Sequence, residues 1–184
     1  MSVSISTLSA GVIIETKSAR VSVAAPKGRL SLRTRGDLGV FGSALGVEMP
    51  SKIGACVRSG ELEVLCLGPD EWTLMLPQDQ VASIFDALNA IYEAQPHSLT
   101  EVSAREVTFE IEGTHATDLL SIGCPRDIES IPVGEARRTV FDGVTVILWR
   151  DASTQFRMDV WNSFAPYLAQ TLETGCKEIA AELA

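Results

Sequence analysis

The apolar residues of this 184-residue chain follow two different periods, and the order of those periods is the strongest constraint on its fold. Residues 29–33 (RLSLR) alternate polar and apolar, the period of a half-buried strand. Asp37 can cap a short helix over 38–45, with Gly46 as its stop and Pro50 beyond. Strands over 62–67 and 72–76 follow, turned by Gly68-Pro69-Asp70 and ended by Pro77. Val81, Ile84, Phe85, Leu88, Ile91 and Tyr92 then share one helical face, with Asp79 as the expected cap and Pro96 past the end.

The pattern repeats downstream. Strands are expected over 99–102 and 107–111, then a helix opened by Gly113-Thr114 with Ala116, Leu119 and Leu120 inward. Residues 123–136 are irregular. Further strands fall at 140–141, 144–149 and 156–160, with Asp142-Gly143 as a hairpin turn. A last helix is predicted over 163–172, with Pro166 in its first turn and Gly175 breaking it before an amphipathic tail at 177–184. Strands thus come in adjacent pairs between helices, which is not the strict alternation of a doubly wound parallel sheet. The prediction is an α+β fold of two split β-α-β (ferredoxin-like) halves, about 28–103 and 104–174, with mainly antiparallel sheets. Residues 1–27 read as an extended lead-in that can form short strands at 12–14 and 21–23, and 28–184 as a single α+β domain.

Composition removes several classes of function. The longest apolar runs, at 64–67 and 146–149, are four residues, against about 20 for a membrane-spanning helix. No basic residue precedes Lys17, so a secretory signal is not expected and a cytoplasmic protein is. A net charge of −9 argues against nucleic-acid binding, which needs a basic footprint. The charge is unevenly spread along the sequence: residues 1–60 carry +5 and residues 61–184 carry −14. Lys27, Arg29, Arg33 and Arg35 crowd one predicted strand. Arg29, Arg33 and Arg35 share parity, so with Leu30 and Leu32 facing a core they are expected to face outward. Such a row either guards an edge strand against aggregation or meets an acidic partner surface.

Catalytic chemistry is not visible. Cys56, Cys66, Cys124 and Cys176 are scattered, and His97 and His115 are the two histidines, so no metal-ligand spacing occurs. There is no nucleophile elbow, phosphate-binding loop or dinucleotide fingerprint. Glu106, Glu110 and Glu112 alternate along one strand and read as its solvated side. Trp72, entering a strand behind a tight turn, is expected to be buried beneath it.

Certain longer motifs carry a resemblance. Leu67 followed by Gly68-Pro69-Asp70-Glu71-Trp72 (LGPDEW) resembles a signature of the gamma subunit of heterotetrameric sarcosine oxidase. GRLSLRTRGD at 28–37, SLTEVSAREVTFEIEG at 98–113, LLSIGCPRDI at 119–128 and VILWRDASTQFRMDVWNSFAPYL at 146–168 keep its order and spacing. The resemblance implies a chain without an active site, in a complex with alpha, beta and delta subunits. That complex oxidatively demethylates sarcosine to glycine, makes H₂O₂ and transfers a one-carbon unit to tetrahydrofolate. FAD, FMN, NAD and tetrahydrofolate are implied for the complex and none for this chain. The fold implied is similar to the folate-binding part of the glycine-cleavage aminomethyltransferase. Those enzymes carry an acidic residue on the hairpin strand, where this chain has Gly143-Val144-Thr145-Val146-Ile147-Leu148. Asn162 matches their asparagine after the next strand, a position that can equally cap the final helix. A free-standing folate-binding or aminomethyltransferase-like module is the alternative.

Overall fold

A computed structural model of the chain describes residues 8–184. In chain order the first elements are β1 (Gly11–Glu15), β2 (Arg20–Val23), β3 (Gly28–Thr34), α1 (Leu38–Leu45), β4 (Cys56–Ser59), β5 (Leu62–Gly68), β6 (Glu71–Leu76), α2 (Val81–Asn89) and β7 (His97–Glu101). Then come β8 (Glu106–Glu112), α3 (Ala116–Ser121), β9 (Ala136–Phe141), β10 (Val144–Ala152), β11 (Gln155–Trp161) and α4 (Ala165–Glu182). They form two compact units, one of Lys27–Ser103 and one joining residues up to Pro26 with Ala104–Ala184. Each unit has its own antiparallel sheet, as expected for an α+β protein.

The Lys27–Ser103 unit has strand order β4-β5-β6-β3-β7. Leu30 and Leu32 of β3 meet Phe41 and Leu45 of α1 and Leu88 of α2 in one buried cluster. Asp37 caps α1 by accepting from the Gly39 N–H, and Gly46 ends it in the left-handed conformation that glycine reaches without strain. Two local expectations fail. Asp79 is not the cap of α2, because a short 3-10 helix (Gln78–Gln80) leads into it and no side chain caps it. β4 went unpredicted, since CVRS lacks strand-like alternation; its pairing with β5 holds it at the sheet edge.

The other unit has strand order β1-β2-β8-β11-β10-β9. Its outer pair therefore comes from residues 11–23, and β2 bonds to β8 across more than 80 residues of sequence. Asp142 and Gly143 both have positive φ, the type I′ geometry that a two-residue hairpin requires, and they turn β9 into β10. The last helix departs from expectation. It starts at Ala165 and runs unbroken through Gly175 to Glu182. Its buried positions, among them Leu168, Leu172 and Cys176, recur with helical period. Gly175 is a packing residue: a Cβ there would lie 2.8 Å from side-chain carbons of Leu119 and Ile122. Close approach of the α3 segment, and not a helix break, accounts for the glycine. Among the described residues no helix is long and apolar enough to cross a membrane.

Candidate functional site

The basic strand and the LGPDEW turn, two separate features of the sequence, are partners in the structure. β3 lies beside β6, which sets Leu32 opposite Trp72 and Arg33 opposite Glu71. Pro69-Asp70 turns β5 into β6, and the Asp70 carbonyl accepts from the Thr34 N–H at 3.2 Å. Arg33 pairs with Glu71 at 3.1 Å and reaches Asp70 at 3.7 Å, while Arg35 meets the other Asp70 oxygen at 3.5 Å. Beneath the turn Trp72 is buried, as expected, and its indole N–H donates to the Pro50 carbonyl at 2.7 Å. The acids of the signature are thus balanced by arginines of the same unit. Arg35 is 89% exposed, so its ion pair contributes under about 1 kcal/mol.

Arg29 departs from the outward-facing row. It is 3% exposed and sits opposite Met75, itself buried, on the face away from Leu30 and Leu32. Alternation identifies which residues share a face, but it cannot say that the second face is wet. Arg33 and Arg35 alone of the three reach solvent.

The GCPRD segment is also engaged internally. The Gly123 carbonyl accepts from the Asp142 N–H at 2.9 Å, and a Cβ on Gly123 would strike that nitrogen and the Phe141 ring. Asp127 caps the following 3-10 turn by accepting from the Glu129 N–H at 3.0 Å. The Asp142 carboxylate takes hydrogen bonds from the Tyr167 hydroxyl at 2.6 Å and the Thr171 hydroxyl at 3.1 Å. That hydrogen bond to a carboxylate raises the Tyr167 pKa, since a phenolate there would face an anion without a bridging proton.

One polar cluster escaped sequence reasoning. Asp159, in the middle of β11, is 2% exposed, and its two oxygens accept from the Trp149 indole N–H and the Thr108 hydroxyl. Beside it Arg157 forms a two-pronged pair with Asp151, at 2.6 and 2.9 Å, and lies 4.6 Å over the Trp149 ring. No signal in the sequence marks Asp159: residues 157, 159 and 161 share one face of β11, and Trp161 on that face is 52% exposed while Asp159 is buried. With both oxygens occupied it is held in place, unlike a general base with a lone pair aimed at a cleft. Asn162 does not cap α4, whose N-cap is Phe164; its amide donates to the Ala104 carbonyl at 3.2 Å instead. The β10 residues at 144–148 carry no carboxylate. Among the described residues no three His, Cys, Asp or Glu side chains are grouped to hold a metal ion.

Residues 38–178 match the sarcosine oxidase, gamma subunit family. The chain belongs to that family. LGPDEW and GCPRD both lie inside the matched span. Sarcosine oxidase subunit gamma of Corynebacterium sp. strain U-96 is 28% identical over 144 residues, which is 76% of this chain and 68% of the relative. In fold, this chain is similar to one in the heterotetrameric sarcosine oxidase from Corynebacterium sp. U-96, with a TM-score of 0.81. The identity there is 24%, and 92% of this chain and 89% of that one are covered. It is also similar to the glycine cleavage system aminomethyltransferase T from Bartonella henselae, with a TM-score of 0.64 at 15% identity. That likeness covers 85% of this chain and 46% of the enzyme.

Proposed function

We propose that this chain serves as a non-catalytic assembly subunit in a heterotetrameric sarcosine oxidase, alongside alpha, beta and delta subunits. The observation that carries the proposal is where the family's signature residues are spent. Asp70 and Glu71 pair with Arg33 and Arg35, Trp72 with the Pro50 carbonyl, and Gly123 with the Asp142 N–H. Residues that lock turns supply shape, and shape is what a partner surface needs. Under this reading FAD, FMN, NAD and tetrahydrofolate belong to the other subunits, and the oxidative demethylation of sarcosine proceeds there. Arg33 and Arg35, still solvent-exposed, remain the charged pair proposed to meet an acidic partner surface. The strand orders support reading each unit as a split β-α-β half, the second completed by β2. Four free thiols support a reducing, cytoplasmic location.

The test is co-expression with the three other subunits followed by purification through the largest. Stoichiometric retention of this chain is expected, and a chain that never enters the complex would sink the proposal. The likeness to aminomethyltransferase T keeps a second reading in view, a free-standing folate-binding module with Asn162 at its cleft. Calorimetry with tetrahydrofolate on the isolated chain separates the two. Binding tighter than about 10 µM, roughly −7 kcal/mol, would favour the module.

A further inference from the structure

The six-stranded sheet has a core face, where Val107, Val146 and Val160 pack with Leu168 and Leu172 of α4, and a second face. One row of side chains on that second face reaches solvent. Trp161, half-exposed, stands opposite Glu106 of β8. Val146 faces Val160 in the β10–β11 ladder, which sets Thr145 beside Trp161, and Thr145 in turn faces Val140. Thr145 and Val140 are exposed too. Arg105 stands at the Trp161 end of this row and is fixed from three sides. Its carbonyl accepts from the Asn162 N–H at 2.8 Å. Its guanidinium lies 5.7 Å over the Trp161 ring, and its Nε and Nη2 both donate to one oxygen of Glu106, at 3.2 and 2.7 Å. The Glu106 side chain is 6% exposed and that of Arg105 is 44% exposed, so the carboxylate lies beneath and the cation faces solvent. Such a side-on pair leaves the other edge of the guanidinium, the Nη1 hydrogens foremost, with donors to spare. Nη1 has no partner among the described residues.

Those spare donors select what can cover Trp161. Trp and Arg are the residues in which interface energy concentrates, and side chains ordered in advance cost less to use. A purely apolar cover would bury the Nη1 donors without an acceptor, which is costly. A cationic cover would meet the guanidinium before it met Glu106 and be repelled. A polyanion, whether nucleic acid or an anionic membrane, would gain one arginine against a chain of net charge −9. A single carboxylate satisfies the donors through a charge-assisted pair. We propose that the Arg105–Trp161 corner, continued by Thr145 and Val140, docks a protein segment that presents an Asp or Glu beside an apolar side chain. This deepens the assembly reading above and rests on it: the segment belongs to one of the larger subunits of the complex.

The test uses the full chain co-expressed with the other three subunits and purified through the largest. Trp161→Ser should lower retention in the complex about tenfold, the loss expected of an anchor residue. Arg105→Lys keeps a cation for Glu106 but lacks the planar fork. It should lower retention by a similar factor while the isolated chain melts as the parent does. Ile53→Ser, an equally exposed apolar position in the other unit, should be retained like the parent. Val140→Glu and Val140→Lys put opposite charges at one exposed position and keep the test open if the other variants fold poorly. Val140→Glu should slow association at low salt and Val140→Lys should not, with the difference vanishing at about 0.5 M salt. Normal retention of well-folded Trp161→Ser and Arg105→Lys overturns the docking corner while leaving the assembly reading intact. Equal association of the two Val140 variants at low salt overturns the acidic partner. Parent self-association that Trp161→Ser abolishes overturns the proposal in favour of a second copy. If the parent itself never enters the complex, the assembly reading falls and takes this one with it.

Discussion

Trp72 shows what a single residue contributes to the LGPDEW signature. Its ring fills the core behind the turn and its N–H satisfies the Pro50 carbonyl. Trp72→Ala therefore leaves both a cavity and an unpaired carbonyl, and should cost about 3–5 kcal/mol in urea unfolding. Trp72→Phe, which keeps most of the volume, should lose closer to about 1–2 kcal/mol. An Ala variant with the parent's unfolding midpoint would contradict the buried packing. Asp159 presents the converse case, a polar group whose removal is felt through its donors. Asp159→Ala strands the Trp149 N–H and the Thr108 hydroxyl in a dry environment. A loss of roughly 2–5 kcal/mol is expected. Equal stability of Asp159→Ala and the parent would show that water reaches the pair. The burial of Trp72 was legible because a large apolar ring behind a turn has nowhere else to go. The burial of Arg29 was not, because it depends on what covers the second face of its sheet.

Elements were read well where local chemistry decides them and poorly where neighbours do. The β9–β10 hairpin was evident from Asp142-Gly143, since few other pairs place two successive residues at positive φ. Gly143→Val should accordingly cost about 1–2 kcal/mol by forcing a β-branched residue into that region. α4 was cut short because glycine carries a helix penalty of about 1 kcal/mol, which reads as a break. Packing against Leu119 and Ile122 outweighs that penalty. Gly175→Val tests the competition directly. On propensity alone it would stabilise α4, whereas the contacts at 2.8 Å predict a loss of about 1–3 kcal/mol and a lower Tm. A higher Tm would restore the helix-break account.

At the scale of the whole molecule the contrast between a basic first third and an acidic remainder disappears. The Lys27–Ser103 unit holds six basic and ten acidic residues, a net of −4, and the rest of the chain holds nine and 14, a net of −5. Folding mixes the two charge populations because strands distant in sequence share a sheet. Alkaline stability is also a property of the whole fold. Burial pushes the Cys176 thiol from 9.0 up to about 11, and raises the Cys66 thiol in the same direction. An unfolded chain gives up these protons first, so above pH 9 it binds fewer protons than the native state. Stability is then complete below about pH 9 and falls as pH rises towards 11, by roughly 2 kcal/mol for Cys176. Urea unfolding at pH 8 and pH 10.5 should show that loss in the parent and a smaller one in Cys176→Ala. An identical loss in both would assign the alkaline sensitivity to other groups.

Sequence alone determined the class of fold, the α1 caps, the β5–β6 and β9–β10 turns and the family motifs. Each of these depends on dihedral preference or periodicity within about ten residues. The tertiary structure decided the rest. It paired β2 with β8, buried Arg29, joined Arg33 to Glu71 and occupied both oxygens of Asp159. Those outcomes turn on contacts between residues far apart in the chain, whose free energy exists only once the sheets have closed.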